Sequence, residues 1–203
     1  MTTCTELIEQ GLFTYESEGN DSGRWNSRVL HWPESASGVT IGRGYDLKER
    51  RREAVVQDLI GVGVSRERAE IIAGGVSKRG TAARQFVNDN REQVGEITVC
   101  QQINLFKRVY STYEREAKRV YSRHASSEQG YVAWENLSQP MRDIVTDMVY
   151  QGAGRISTYK AAARNSEAEL IRHVEERITS ETDEGKINRY EKRIDYLRRR
   201  GHN

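Results

Sequence analysis

Glu18, Thr40 and Asp46 are the residues of this 203-residue chain whose types and spacing suit a reaction. A carboxyl at the end of a first helix, facing a β element that carries a second carboxylate and a hydroxyl, forms the wall of a cleft. Glycoside hydrolysis needs such a set. One carboxyl stays protonated to donate to the leaving oxygen, while the other stays ionised to activate water or steady developing positive charge. Burial against Tyr or Trp raises the pKa of the acid; hydrogen bonds from Thr or backbone N–H groups keep its counterpart ionised. A hydroxyl at Thr40 can hold the attacking water beside Asp46. Plainer roles stay open to all three. Glu18 can bond the loop around Asp21, Asp46 can cap a helix starting at Leu47, and a β-branched Thr is ordinary in a strand.

The elements that must position these groups can be read from the spacing of apolar residues. Thr3 with Glu6 has the form of a capping box, and Leu7, Ile8, Leu12 and Tyr15 share one helical face, predicting a first helix that ends near Glu18 and Gly19. Between Arg24 and Tyr45, the runs RVLHWP and GVTIGRGYD predict a hairpin or small antiparallel sheet. Glycines 38, 42 and 44 suit its turns. After Asp46 the chain reads as helical. AVVQDLIG, SRERAEIIAGG capped by Ser65, and TAARQFVNDN capped by Thr81 come first. A long helix follows, with an apolar stripe at Val99, Ile103, Phe106, Tyr110, Tyr113, Ala117 and Val120. SQPMRDIVTDMVYQGAG has Ser138 as cap, Pro140 in its first turn and Gly152 and Gly154 as its stop. Helices over about 166–179 and 184–199 close the chain. The expectation is an α+β protein, mainly α. Residues 1–48 form the first helix and β element, and 49–203 a helical lobe, all within a single domain spanning 1–203.

The string SGVTIGRGYDL, about twenty residues after ESEG, resembles the active-site region of pesticin-type lysozymes, a branch of the phage-lysozyme group known as glycoside hydrolase family 24. Those enzymes carry a Glu-Gly after the first helix and then a β element reading roughly G-x-T-I-G-x-G-x-D. The resemblance implies a lysozyme-like fold, with Glu18 as general acid, Asp46 as the base-side carboxylate and Thr40 as the water-positioning hydroxyl. Thr and Asp six residues apart fit the pesticin branch; the spacing of other phage lysozymes would make Asp21 the second carboxylate. LSQPMRDIVTDMVYQGAG is similar to the core helix of the family, which implies that Gln151 contacts sugar. NRYEKRIDYLRR is similar to its arginine-rich last helix. The implied reaction is inverting hydrolysis of the β-1,4 bond between N-acetylmuramic acid and N-acetylglucosamine in peptidoglycan, without a cofactor. A lytic transglycosylase, which needs one catalytic Glu, is the nearest alternative, and a non-catalytic cell-wall binding module is another. The implied settings are a phage endolysin, a bacteriocin domain or a type VI secretion effector domain, the last two requiring an immunity protein.

Other residues take lesser parts. Tyr45, placed beside Asp46, is read ahead of Trp25 and Trp32 as a platform for sugar rings, with core packing equally open. Arg43 is read as a contact for the acetamido or peptide part of the substrate, or else as a solvated strand arginine. His31, His124, His173 and His202 lack metal-ligand spacing, so no metal is expected. Cys4 and Cys100 have no CxxC pattern and are read as free thiols. The net charge of +2 is too small for a dedicated nucleic-acid binder. No apolar run is long enough to span a bilayer. The opening MTTCTELIEQ lacks the basic and apolar regions of a Sec signal peptide. The expected protein is a monomer made in the cytoplasm that acts on the glycan strands of a cell wall.

Overall fold

The computed structural model describes residues 8, 10–21, 23, 26–33 and 37–200, which hold nine α-helices and one two-stranded antiparallel sheet. The α+β, mainly α architecture is as the apolar spacing predicts. The helices are α1 (Leu12–Ser17), α2 (Arg52–Gly61), α3 (Arg66–Ala73), α4 (Gly80–Val94), α5 (Val99–Ala125), α6 (Gln139–Tyr150), α7 (Ile156–Ala161), α8 (Glu167–Thr179) and α9 (Glu184–Arg200). The strands are β1 (Thr40–Ile41) and β2 (Tyr45–Asp46). Two compact units share the chain. Of the described residues, those within 1–9 and 18–109 form one and those within 10–17 and 110–203 the other, so the chain divides elsewhere than at residue 48.

The first unit packs helices α2 to α4 and the start of α5 around the β element. β1 and β2 pair Thr40 with Asp46 and Ile41 with Tyr45. Gly42 and Gly44, at φ 64 and 79, make the intervening turn, a backbone region costly for other residues. RVLHWP adds no strand of its own; it contributes a single antiparallel bridge, His31 to Thr40. Leu30, Val39, Ile41, Tyr45, Leu47, Leu59, Ile72, Ile97, Ile103 and Leu105 are buried in this unit. A second bridge, Gly38 to Arg79, holds the start of α4 to the β element.

Helix α6 lies at the centre of the second unit, contacting α1 and α9. Its Ile144, Val145 and Met141 belong to a buried cluster with Phe13, Tyr121, Trp134, Leu170 and Leu197. Asp147, fully buried on α6, accepts from Thr14 Oγ1 at 3.0 Å, Arg193 Nε at 2.9 Å and Arg189 Nη2 at 2.5 Å. A buried carboxylate is tolerated only when paired and hydrogen-bonded in this way.

Several sequence expectations need correction. α1 starts at Leu12, not near Thr3, because Gly11 has φ 76 and breaks the helical path. The Thr3–Glu6 capping box lies outside the described residues. The N-cap of α4 is Arg79 rather than Thr81, whereas Ser65 does cap α3, accepting from Arg68 N. α2 begins at Arg52, so Asp46 caps no helix. Cys100 is disulfide-bonded, against the expectation of free thiols; the other cysteine of the chain, Cys4, lies outside the described residues. Among the described residues, no helix is long and apolar enough to cross a membrane.

Candidate active site

A cavity of about 470 Å³ opens in the first unit, lined among others by Glu18, His31, Trp32, Thr40, Arg84 and Arg91. Glu18 follows directly on α1, and Thr40 opens β1. The structure therefore brings two of the three sequence-predicted catalytic residues to one cavity. Asp46, the third, sits opposite Thr40 across the strand pair. Both backbone bonds of Thr40 go to His31, so Thr40 and Asp46 form the non-hydrogen-bonded kind of pair, in which side chains stand closest.

Asp46 itself is not among the residues lining the cavity. Its Oδ1 accepts from Lys48 N at 2.8 Å, and its Oδ2 takes Gly38 N at 3.4 Å, with Lys48 Nζ 3.7 Å away. Gly38 is required here, since a Cβ would collide with the Asp46 carboxylate and the Lys48 side chain. The carboxylate thus ties together the segments flanking the β element. Asp21, the alternative second carboxylate, is also held. Its Oδ1 accepts from Arg43 at 2.8 Å and from Gln102 Nε2 at 2.6 Å. Partial burial pushes its pKa up, but the hydrogen bonds from Arg43 and Gln102 and the nearby guanidiniums outweigh this and hold it below the usual carboxylate value.

These contacts correct two binding assignments. Arg43 is 6% exposed and engaged with Asp21, so it clamps the loop after Glu18 instead of presenting a guanidinium to substrate. Tyr45 is fully buried; its hydroxyl donates to Asp58 Oδ2 at 2.7 Å, and the Arg50 guanidinium lies 3.9 Å from its ring centre. No ring face is left for a sugar. Burial and the hydrogen bond to Asp58 also push its hydroxyl pKa up. Trp32 has the aromatic surface at the cavity, with its Nε1 donating to Ser37 O at 3.2 Å. Trp25 lies outside the described residues. Gln151 is exposed at the end of α6 in the second unit, where its Oε1 accepts from Arg193 at 3.3 Å.

The spacing of residues on α4 supplies a wall that the sequence reading missed. Arg84, Asn88 and Arg91 line the cavity and, at about 100° per residue, fall within an arc of roughly 60°. Asp89 and Glu92 fall on another side of the helix, and Ala83, Val87 and Val94 are buried. The spacing of four and three was visible in the sequence; the direction it faces depends on the bridge from Gly38 to Arg79. His31 is the other unforeseen group. Burial lowers its pKa, and Arg91 lowers it further, against the raising effects of its bond to the Val29 carbonyl and of Asp46.

The chain belongs to the family described as Domain of unknown function (DUF8812), whose model matches residues 11–194. No curated protein matches it. The matched span includes Glu18, Thr40, Asp46 and the α4 wall.

Proposed function

We propose that this member of the DUF8812 family is a peptidoglycan hydrolase, a muramidase that cleaves the β-1,4 bond between N-acetylmuramic acid and N-acetylglucosamine. The observation that carries the reading is that Glu18 and Thr40, assigned acid and water-positioning roles by resemblance to pesticin-type lysozymes, line one cavity. Asp46 stands across the strand pair from Thr40. Glu18 protonates the glycosidic oxygen, and water held at Thr40 attacks the anomeric carbon from the opposite face, inverting its configuration. Trp32 provides an apolar face for a sugar ring. The cationic α4 wall suits a polymer whose stem peptides carry carboxylates. The disulfide at Cys100 fits an enzyme working in an oxidising compartment such as the periplasm of a target cell. That setting is common to an antibacterial effector, which needs an immunity partner in its producer, and to an endolysin.

One observation favours a second reading. Asp46 is absent from the lining and already engaged by Gly38 and Lys48. A lytic transglycosylase needs only the Glu, and leaves anhydro-muramoyl ends. The test is clearance of purified cell walls by wild type, Glu18→Gln and Asp46→Asn, each checked for folding by circular dichroism. The muramidase reading expects Glu18→Gln to lose activity by a factor of about 100 or more, the scale of a missing general acid. Full activity in Glu18→Gln would overturn both readings.

A further inference from the structure

The cavity holds one titratable side chain that the reaction above leaves idle. His31 faces Thr40 in a doubly hydrogen-bonded pair, each backbone N–H donating to the other's carbonyl at 2.9 Å. Thr40 in turn faces Asp46. Residues directly opposite in antiparallel pairs put their side chains on the same face. His31, Thr40 and Asp46 therefore form one row across three chain segments. Of this row, His31 and Thr40 line the cavity that Glu18 also lines.

Hydrogen bonding fixes what each member of the row can do. Nδ1 of His31 lies 3.0 Å from the Val29 carbonyl, which can only accept, so Nδ1 carries the proton of the neutral ring. Nε2 is then the nitrogen with the lone pair. The Thr40 hydroxyl points its proton at the Gly38 carbonyl, 3.4 Å away, which leaves its oxygen lone pairs as acceptors. Two acceptors thus stand in adjacent positions of the row. A water molecule has two protons, one for each, and its own lone pair is then left for an electrophilic carbon.

Resting on the lysozyme reading of this cavity, we infer that His31 Nε2 is the base that takes the proton of the attacking water while Thr40 Oγ1 holds the other. The step balances. Glu18 gives its proton to the glycosidic oxygen, the bond from C1 to that oxygen breaks with its electron pair going to the leaving sugar, and the water oxygen bonds to C1. The water proton passes to Nε2, and the imidazolium then releases it to solvent while Glu18 regains one. Asp46 acts as a positioning residue at the end of the row, where its charge steadies the imidazolium. Arg91 on α4 opposes that charge, and Arg84 and Glu18 share the cavity. Burial keeps the resting ring neutral, the form a base needs at neutral pH.

The experiment compares wild type, His31→Gln and Glu18→Gln on purified peptidoglycan across pH 5 to 9. Glutamine can hydrogen-bond but cannot take up the proton. The expected result is a kcat about 100-fold lower in His31→Gln with KM within threefold, and loss of the acid limb of the kcat profile. A kcat within threefold of wild type with the acid limb intact would overturn the assignment to His31. Inactivity of wild type, or full activity in Glu18→Gln, would instead overturn the lysozyme reading and this inference with it. A second measurement works without turnover and without a variant. Nitrogen NMR of the His31 ring in the wild-type protein at pH 7 is expected to show the proton on Nδ1, and a proton on Nε2 would contradict the role.

Discussion

Tyr45 shows how a residue beside a candidate site can serve only the fold. Its hydroxyl gives the buried end of the ring a charged partner in Asp58, and hydrogen bonds to charged groups contribute more than neutral ones. Tyr45→Phe is expected to lower stability by about 1–3 kcal/mol, read from urea midpoints, and to leave KM for cell walls unchanged. A rise in KM without loss of stability would return the residue to the binding surface. Proximity to Asp46 in the chain made Tyr45 legible as a candidate. Its burial was not legible, because successive strand residues point to opposite faces and the paired register decides which face is the interior. Arg43 failed for a similar reason: its partner, Asp21, is brought near by the fold of the loop, which no spacing rule announces. Glu18 and Thr40 were legible because a motif, rather than a periodicity, singled them out.

Among the elements, α6 and α4 make opposite uses of charge. Asp147 on α6 is buried and shared by Arg189 and Arg193 of α9. Removing its charge leaves two guanidiniums without their anion, so Asp147→Asn is expected to cost about 3–5 kcal/mol, measured by chemical denaturation. On α4 the arginines are exposed, and their loss should cost binding instead. The double variant Arg84→Gln, Arg91→Gln is expected to raise KM for peptide-bearing walls about three- to tenfold and to flatten its salt dependence, with the melting temperature unchanged. An unchanged KM would remove α4 from the substrate path. The long helix and the cap at Ser65 were legible because period and capping chemistry are local. Ser138 does stand at the start of α6, but its hydroxyl donates to Glu167 at 3.2 Å and caps no backbone N–H, a partner that only the fold brings near. α7, of only six residues, escaped because so short a segment shows no period.

For the whole molecule, stability should depend on pH through histidines that burial disfavours as cations. Desolvation is the main cause of the lowered pKa at both His31 and His173. In each case the unfolded chain binds the proton first as pH falls, so the stabilising contribution is complete above about pH 6.5 and is lost as pH drops through the lowered folded values. Asp21, also lowered, matters only below the ordinary carboxylate range. The urea midpoint is expected to fall between pH 7.5 and 5.5, and the combined variant His31→Gln, His173→Gln to lose most of that fall. An equal fall in that variant would assign the effect to other groups. The mainly helical architecture was legible from composition and periodicity, whereas the division of the chain at residues 9, 17 and 109 was not. It depends on which buried faces meet, and α1 belongs with helices far along the chain through Thr14 and Asp147.

The most direct measurement is mass spectrometry of the muropeptides released from purified peptidoglycan by wild type and by Glu18→Gln. Muropeptides with reducing muramic acid ends from wild type alone are the predicted result. Anhydro-muramoyl ends would contradict hydrolysis in favour of transglycosylation, and no product from a folded wild-type sample would contradict an enzymatic role.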